Sequence, residues 1–505
     1  MTTTRADSTL QALTLSYPRQ IFVNRNLALA DIAAIGFDMD YTLCRYLPEM
    51  AVLATELAIE HLVRRGYPEA LRDVRFDPTW GTRGLVIDCA KGNVVKMDAH
   101  RHVARVWHGL KAMSDEVRRE VYHADPPRLS GDRWAMTDTL FSTPESYLYC
   151  HLIEHLEREA GGPLDSHENR RLYADIRYCI DLVHRDDSLK SRVRDEMNRY
   201  VERDPHLAVA LHRLRSAGKT LFLLTNSSLD YTESVMSFLL DAQLEGYSRW
   251  QDYFECIWVT ARKPHFFDNR DEPLQIGDKV FEQGGRRHLE RNLGVDGDRI
   301  LYVGDHIYGD VLKSRSTTGW RTALILPELE PEVASLQSEV QSIQRRAVLE
   351  DARAGLESRL ASAELRLRGV RRAERKQEQA QSMAEQGDKG TPSELPELGD
   401  LASQRELLRQ QVADLREKLA SNTDEIGALS ERIEQHFNPR WGQLLKERHK
   451  HSLFGSQMQA YACLYTSRVS NFAAYSPSHR FRPPRDLLPH ERVVISESGD
   501  DDGHA

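Results

Sequence analysis

Ile32-Ala33-Ala34-Ile35-Gly36-Phe37-Asp38-Met39-Asp40-Tyr41-Thr42-Leu43 is the stretch that decides how this chain is read. Ile32 to Phe37 is an apolar run of strand length, and polar residues begin abruptly at Asp38. Two carboxylates two residues apart at a strand end can do separate jobs. Asp38 projects a nucleophile, while Asp40 stands by the leaving group and must hold a proton at neutral pH. Two turn aspartates closing a structural strand would look the same, so the pair needs support from elsewhere in the chain.

That support comes from three more runs, Thr220 to Leu224, Ile257 to Val259 and Ile300 to Val303, each followed by polar or turn residues,. Helix-sized segments, Tyr231 to Leu240 and Arg286 to Leu293, lie between the later runs. Alternation of this kind predicts an α/β fold with a doubly wound, Rossmann-like sheet, whose ligands sit at the carboxyl ends of the strands. Residues 1–44 and 211–330 would form this core. The stretch 45–210 is far longer than a parallel crossover needs, so it is an inserted cap domain, placed to set substrate specificity over the mouth of the sheet.

The composition changes at Pro331. Leu408, Val412, Leu415, Leu419, Ile426, Leu429 and Ile433 recur on steps of four and three, with Asn422 at the polar seam position,. A broken seam over Leu336 to Val370 is separated from it by residues 387–392, which predicts a coiled-coil helical hairpin within 331–436; pairing of the helices between molecules is the alternative. Aromatic residues return after Phe437, so 437–491 should pack on the core, and 492–505 reads as an acidic, disordered tail.

Over 505 residues the net charge is only −9, with signs interspersed, which argues against nucleic-acid binding,. No stretch has the length of a bilayer span or a signal peptide, and six dispersed cysteines suggest neither a zinc cluster nor disulfides,. The expectation is a soluble cytoplasmic protein without a membrane partner. His100, His102 and His108 cluster locally but lack ligand-spaced partners, and are expected in a hairpin of the insert.

Each remaining strand end carries a useful group. Thr225-Asn226-Ser227 offers a hydroxyl, an amide and backbone N–H groups for a phosphate. Lys263 can neutralise a nucleophile and phosphoryl oxygens. Asp305 with Asp38 makes a half-shell for a hard cation such as Mg2+, and Asp310 is placed to orient Lys263 or a metal-bound water.

In this order these elements resemble the haloacid dehalogenase superfamily, matched by Asp38/Asp40, Thr225, Lys263 and Asp305/Asp310. The resemblance implies an aspartyl-phosphate mechanism, with Mg2+ bridging Asp38, the Asp40 carbonyl, Asp305 and the phosphate. More closely, Phe22-Val23-Asn24-Arg25, Thr82-Arg83-Gly84-Leu85, Ala261-Arg262-Lys263-Pro264, Gly304-Asp305-His306-Ile307 and Pro489-His490-Glu491 resemble the cytosolic purine 5'-nucleotidases, which prefer IMP and GMP. That likeness runs over roughly Ile21 to Glu330 and Phe437 to Glu491.

The likeness extends to Asp175 to His184 and Ser188-Leu189-Lys190, which match the family's substrate segment and include His184. It implies that Arg177 reads the acceptor edge of a 6-oxopurine, Asp181 its N–H side, Lys190 adds positive potential and Phe141 stacks on the base. Two basic effector positions of the family hold Ser316 and Ala460, and Arg128, Asp138, Tyr308 and Gln457 fit that site less well, so effector control is not expected. The reading is therefore a Mg2+-dependent 5'-nucleotidase for purine monophosphates, with phosphotransfer to another nucleoside as a second outcome and a homo-oligomer, dimer or tetramer, as its form. The alternatives are a phosphatase for another metabolite, or a coiled-coil assembly protein with a vestigial phosphatase domain.

Overall fold

Ala34–Phe37, Thr220–Leu224, Cys256–Val259 and Ile300–Gly304 are strands buried almost throughout, as expected of parallel strands covered on both faces. The computed structural model describes residues 15–125, 127–129, 131–312, 319–385 and 398–484. Ser316, the turn at 387–392, Pro489-His490-Glu491 and the acidic tail lie outside these residues, as does the side chain of Tyr308.

The core sheet has nine strands, in the order Phe22–Val23, Leu464–Thr466, Arg321–Ile325, Ile300–Gly304, Ala34–Phe37, Thr220–Leu224, Cys256–Val259, Val280–Glu282 and Leu274–Gly277. All neighbours are parallel except the two edge pairs. From Ala34–Phe37 the chain winds outward on one side and then returns to the other, so the strand order reverses at the strand that carries Asp38. A crevice opens at such a switch point. The register decides what faces it: Phe37 lies opposite both Leu223 and Val303, so the chains emerge level, with Asp38 between Leu224 and Gly304.

The C-terminal residues 440–484 supply a strand to the core. Leu464–Thr466 is a strand of the core sheet, parallel to Arg321–Ile325; three residues are too short to show strand periodicity in sequence.

The inserted residues form a five-stranded antiparallel sheet, Lys111–Ala112, Val103–His108, Asn93–Met97, Leu85–Asp88 and Trp134–Thr137. Helices Pro48–Arg64, Thr143–Ala160, Ser166–Arg185 and Ser188–Asp195 accompany it. Its Lys96 is buried, donates to the carbonyls of Trp441 and Lys446 at 2.7 and 2.8 Å and pairs with Glu447 at 3.2 Å. Trp441 packs edge-on against Trp80, so the C-terminal segment is locked to the inserted sheet as well as to the core. The histidines of the insert serve its turns: Asp98 accepts from the N–H groups of His100 and His102, and His108 lies between Asn93 and Glu157.

The chain divides into two compact units, Met1–Ala334 with Arg440–Ala505, and Ser335–Pro439. The second holds the long helices Val340–Glu385 and Leu398–Glu434. Arg345 pairs with Glu425 and Arg405 with Glu374, so the helices run antiparallel. Leu367, Val412 and Leu415 fill the seam, and Asn422 Nδ2 donates to the Leu349 carbonyl at 3.2 Å. Among the described residues no helix is long and apolar enough to cross a membrane.

Gly36 has no room for a side chain: a β-carbon there would enter the ring of Phe222 on the neighbouring strand. Gly36→Ala should therefore lower the unfolding free energy by about 1–3 kcal/mol, read by urea denaturation with tryptophan fluorescence. A loss under about 0.5 kcal/mol would show that the sheet absorbs the methyl.

Candidate active site

The Ala34–Phe37 strand ends in a tight reversal that aims both aspartates. Tyr41 takes φ 53°, and the N–H groups of Thr42 and Cys44 both return to the Met39 carbonyl. Asp38 Oδ1 accepts from its neighbour's N–H, Met39, at 2.8 Å and faces the Lys263 ammonium at 2.9 Å. Asp40 turns the opposite way: Tyr46 Oη donates to it at 2.6 Å and Ser227 Oγ at 2.8 Å.

The strand Thr220–Leu224 delivers Thr225, fully buried, whose Oγ1 accepts from the N–H of Ser227 at 3.1 Å. Asn226 clamps the neighbouring loop, accepting from the Lys263 N–H at 2.6 Å and donating to the Lys263 carbonyl at 3.1 Å. The Thr225–Ser227 turn and the lysine loop are thereby built as one piece. Lys263 Nζ lies 2.7 Å from Asp310 and 2.8 Å from Tyr302 Oη. Burial would lower its pKa, but Asp310 and Asp38 outweigh burial and raise it, so the ammonium stays charged.

Asp310 can come this close because Gly304 is bare: a β-carbon there would collide with the Asp310 carboxylate. Asp38, Asp305 and Asp310 are all buried, with ligand-capable oxygens within 4.8 Å of one another. Burial pushes Asp38 well above the usual carboxylate range, opposed by Lys263 and reinforced by Asp310. Asp305 is pushed up to about 7, again by burial first, with Arg83 opposing. Three carboxylates outnumber the ammonium they share, which is why Asp38 stays raised beside a charged lysine. Asp305 Oδ2 is buried without a hydrogen-bond partner. An oxygen donor set of this charge and spacing fits a hard divalent cation. The third carboxylate of the group is Asp310; the carboxylate of Asp40 is engaged by Tyr46 and Ser227, so any part for Asp40 in metal binding falls to its carbonyl.

Around this centre the insert contributes an aromatic wall. Phe141 packs edge-on against Tyr41 and against His184, with centroids 4.7 and 5.0 Å apart. His184 Nε2 is buried without a partner, and burial, reinforced by Lys190, lowers its pKa to about 4. Lys190 Nζ lies 5.2 Å over the ring of Tyr231, whose hydroxyl meets that of Tyr46 at 2.9 Å. Arg177 is half-exposed and held from two sides, by Glu145 at 3.0 Å and Asp181 at 3.4 Å.

Several site residues have no signal in the sequence. Glu145 reads as an ordinary first-turn acid, yet it is buried, takes a hydrogen bond from Tyr173 Oη at 2.8 Å and anchors Arg177. Tyr46, Tyr302 and Glu328 are likewise unannounced, and Arg83 stands in a recognised motif without a role attached to it. Of the positions weighed as effector contacts, Asp138 instead pairs with His306 Nε2 at 3.1 Å, beside Asp305. His306 Nδ1 accepts from the Gly309 N–H, so Nε2 carries the proton. Ala460 and Arg128 are exposed.

A buried carboxylate beside a charged lysine, a second positioned carboxyl and an acidic triad with the spacing of a divalent-cation site stand at the switch point of a doubly wound sheet, an arrangement suited to a phosphoryl-transfer hydrolase. The chain belongs to the 5' nucleotidase family, whose sequence model matches residues 21–493, and is thus a phosphoric monoester hydrolase. It is 27% identical to a 5'-nucleotidase domain-containing protein of Dictyostelium discoideum, over 94% of this chain and 75% of that protein. It is 30% identical to 5'-nucleotidase domain-containing protein 2 of Homo sapiens, over 64% of this chain and 66% of that protein. Among solved structures, a predicted phosphoglycolate phosphatase from Haemophilus somnus aligns with 58% of this chain and 85% of its own, at 13% identity and a TM-score of 0.26.

Burial raises the Glu145 carboxyl to about 7, against the pull of Arg177. A raised carboxyl keeps its proton on the acid side, so the clamp on Arg177 is fully charged only above that pH. The KM for a nucleoside monophosphate should therefore rise severalfold as pH falls through about 7, and Glu145→Gln should flatten the profile. Steady-state kinetics between about pH 6 and 8.5 would read it; an unchanged break in the variant would refute the assignment.

Proposed function

We propose that this chain is a Mg2+-dependent 5'-nucleotidase for purine nucleoside monophosphates, with 6-oxopurines such as IMP and GMP ahead of AMP. The observation that carries the base preference is Arg177, fixed by Glu145 and Asp181 near the Phe141/His184 ring pair. A guanidinium offers donors to a ring carbonyl, and Asp181 an acceptor to the adjacent N–H, whereas the amino group of adenine reverses the first of these.

Asp38 Oδ2 attacks phosphorus, forming an acyl phosphate as the P–O5' bond breaks, and Asp40 gives its proton to the departing 5' oxygen. Lys263, the Thr225 hydroxyl and the Asn226 N–H stabilise the phosphoryl oxygens. Asp40, again a base, then takes a proton from the water that attacks the phospho-Asp38 phosphorus, releasing phosphate and restoring Asp38. A nucleoside hydroxyl in place of water would make the reaction a phosphotransfer. Mg2+, held by Asp38 and Asp305 with the Asp40 carbonyl, and with Asp310 bracing Lys263, would supply charge neutralisation at the phosphate.

Phosphate release from IMP, GMP, AMP, UMP and a sugar phosphate, with and without Mg2+, tests this reading. IMP and GMP should lead in kcat/KM by about tenfold, because with adenine the amino group meets the Arg177 donors and both base contacts are lost. Equal turnover across the panel would overturn the purine reading and favour a phosphatase for another metabolite, since the catalytic loops set the chemistry and the insert the substrate.

Asp38→Asn should lower kcat by about four orders of magnitude or more, and Asp40→Asn by about two to four. Retained Mg2+-dependent turnover in Asp38→Asn would refute the covalent route.

A further inference from the structure

Arg83 reaches the metal loop from the inserted segment but stops short of the oxygen it would be expected to take. Its side chain is fully buried, with Nη1 donating to the Asp305 carbonyl at 2.8 Å. Asp305 Oδ2 lies 3.7 Å from the same Nη1, beyond hydrogen-bond range, and has no other hydrogen-bond partner,. A buried guanidinium so near a buried carboxylate ordinarily closes the gap into a charge-assisted pair. The rest of the guanidinium explains why it does not. Nε and Nη2 are taken in parallel by Glu328 Oε1 and Oε2, at 2.7 and 2.6 Å, and the ring of Phe454 backs the group at 5.5 Å. Glu328 enters just after the strand Arg321–Ile325.

We propose that Glu328 is a positioning residue of the metal site: by holding Arg83 in a two-pronged pair, it keeps that cation off Asp305 Oδ2 and leaves the oxygen open to Mg2+. Arg83 is thereby limited to its bond with the Asp305 carbonyl and does not occupy the carboxylate. Without the Glu328 charge, the guanidinium has one buried carboxylate within reach, and about 1 Å of movement closes that pair. Arg83 would then compete with the metal for its ligand. The inference rests on the magnesium reading proposed above.

The test is Mg2+ binding to the substrate-free protein, by isothermal titration calorimetry and by the Mg2+-dependent rise in Tm. Glu328→Gln should weaken Mg2+ affinity tenfold or more, and shift the Mg2+ requirement of turnover by the same factor while kcat at saturating Mg2+ changes less than threefold. Glu328→Gln combined with Arg83→Gln leaves neither charge unpaired, so it remains testable if the single variant does not fold. It should bind Mg2+ within threefold of the wild type. A folded Glu328→Gln with wild-type affinity, or a double variant tenfold weaker than the wild type, overturns the assignment to Glu328. A wild-type protein that takes up no Mg2+ overturns the magnesium reading, and this inference with it.

Discussion

Three buried carboxylates crowd around a single ammonium, Lys263, which pairs with Asp38 and Asp310, and most of what surrounds the site follows from that imbalance. Asp38 and Asp310 lie 2.9 and 2.7 Å from the lysine, while Asp305 is left with Arg83, which is already committed to Glu328. Burial at this charge excess is costly in an interior of low polarity. It holds Asp38 and Asp305 above the ordinary carboxylate range, and it makes a divalent cation the natural complement of the cluster. Stability is thus given up where the chemistry needs negative charge, and the sheet around it must be rigid enough to carry the cost.

The sheet meets that demand through register. Because Phe37 is level with Leu223 and Val303, and Leu224 with Trp258, the loops carrying Asp38, Thr225, the lysine and Asp305 leave the sheet side by side. Asn226 joins two of these loops through the Lys263 backbone, and Tyr302 joins a strand to both Lys263 and Asp310. Two glycines make the approach possible, Gly36 under Phe222 and Gly304 under Asp310.

The insert is joined to this centre twice, and the two joints have different chemistry. Arg83, followed closely in chain by the strand Leu85–Asp88, enters the metal loop and bonds the Asp305 carbonyl. On the substrate side the contact is aromatic: Phe141 against Tyr41, and Tyr231 through Tyr46 to Asp40. A change in the insert is therefore felt both at the carboxylate triad and at Asp40, without a long relay.

The amino-acid sequence by itself determined the local chemistry. The apolar runs ending in Asp38, Thr225 and Asp305, the D-x-D pair and the heptad seam around Leu415 are each contiguous in sequence, because strand burial and helix periodicity are local signals. They were enough for the fold class and for placing four polar loops at the strand ends. Only the tertiary structure decided that Asp310 joins Asp38 and Asp305, that Asp40 turns to Tyr46 and Ser227, that Leu464–Thr466 completes the core sheet, and that Arg83, Glu145 and Glu328 stand at the site at all. These last are single charged residues in unremarkable stretches. Their importance comes from burial and from partners far away in the chain, as with Arg83 and Glu328, 245 residues apart, and no pattern of neighbours in sequence encodes that.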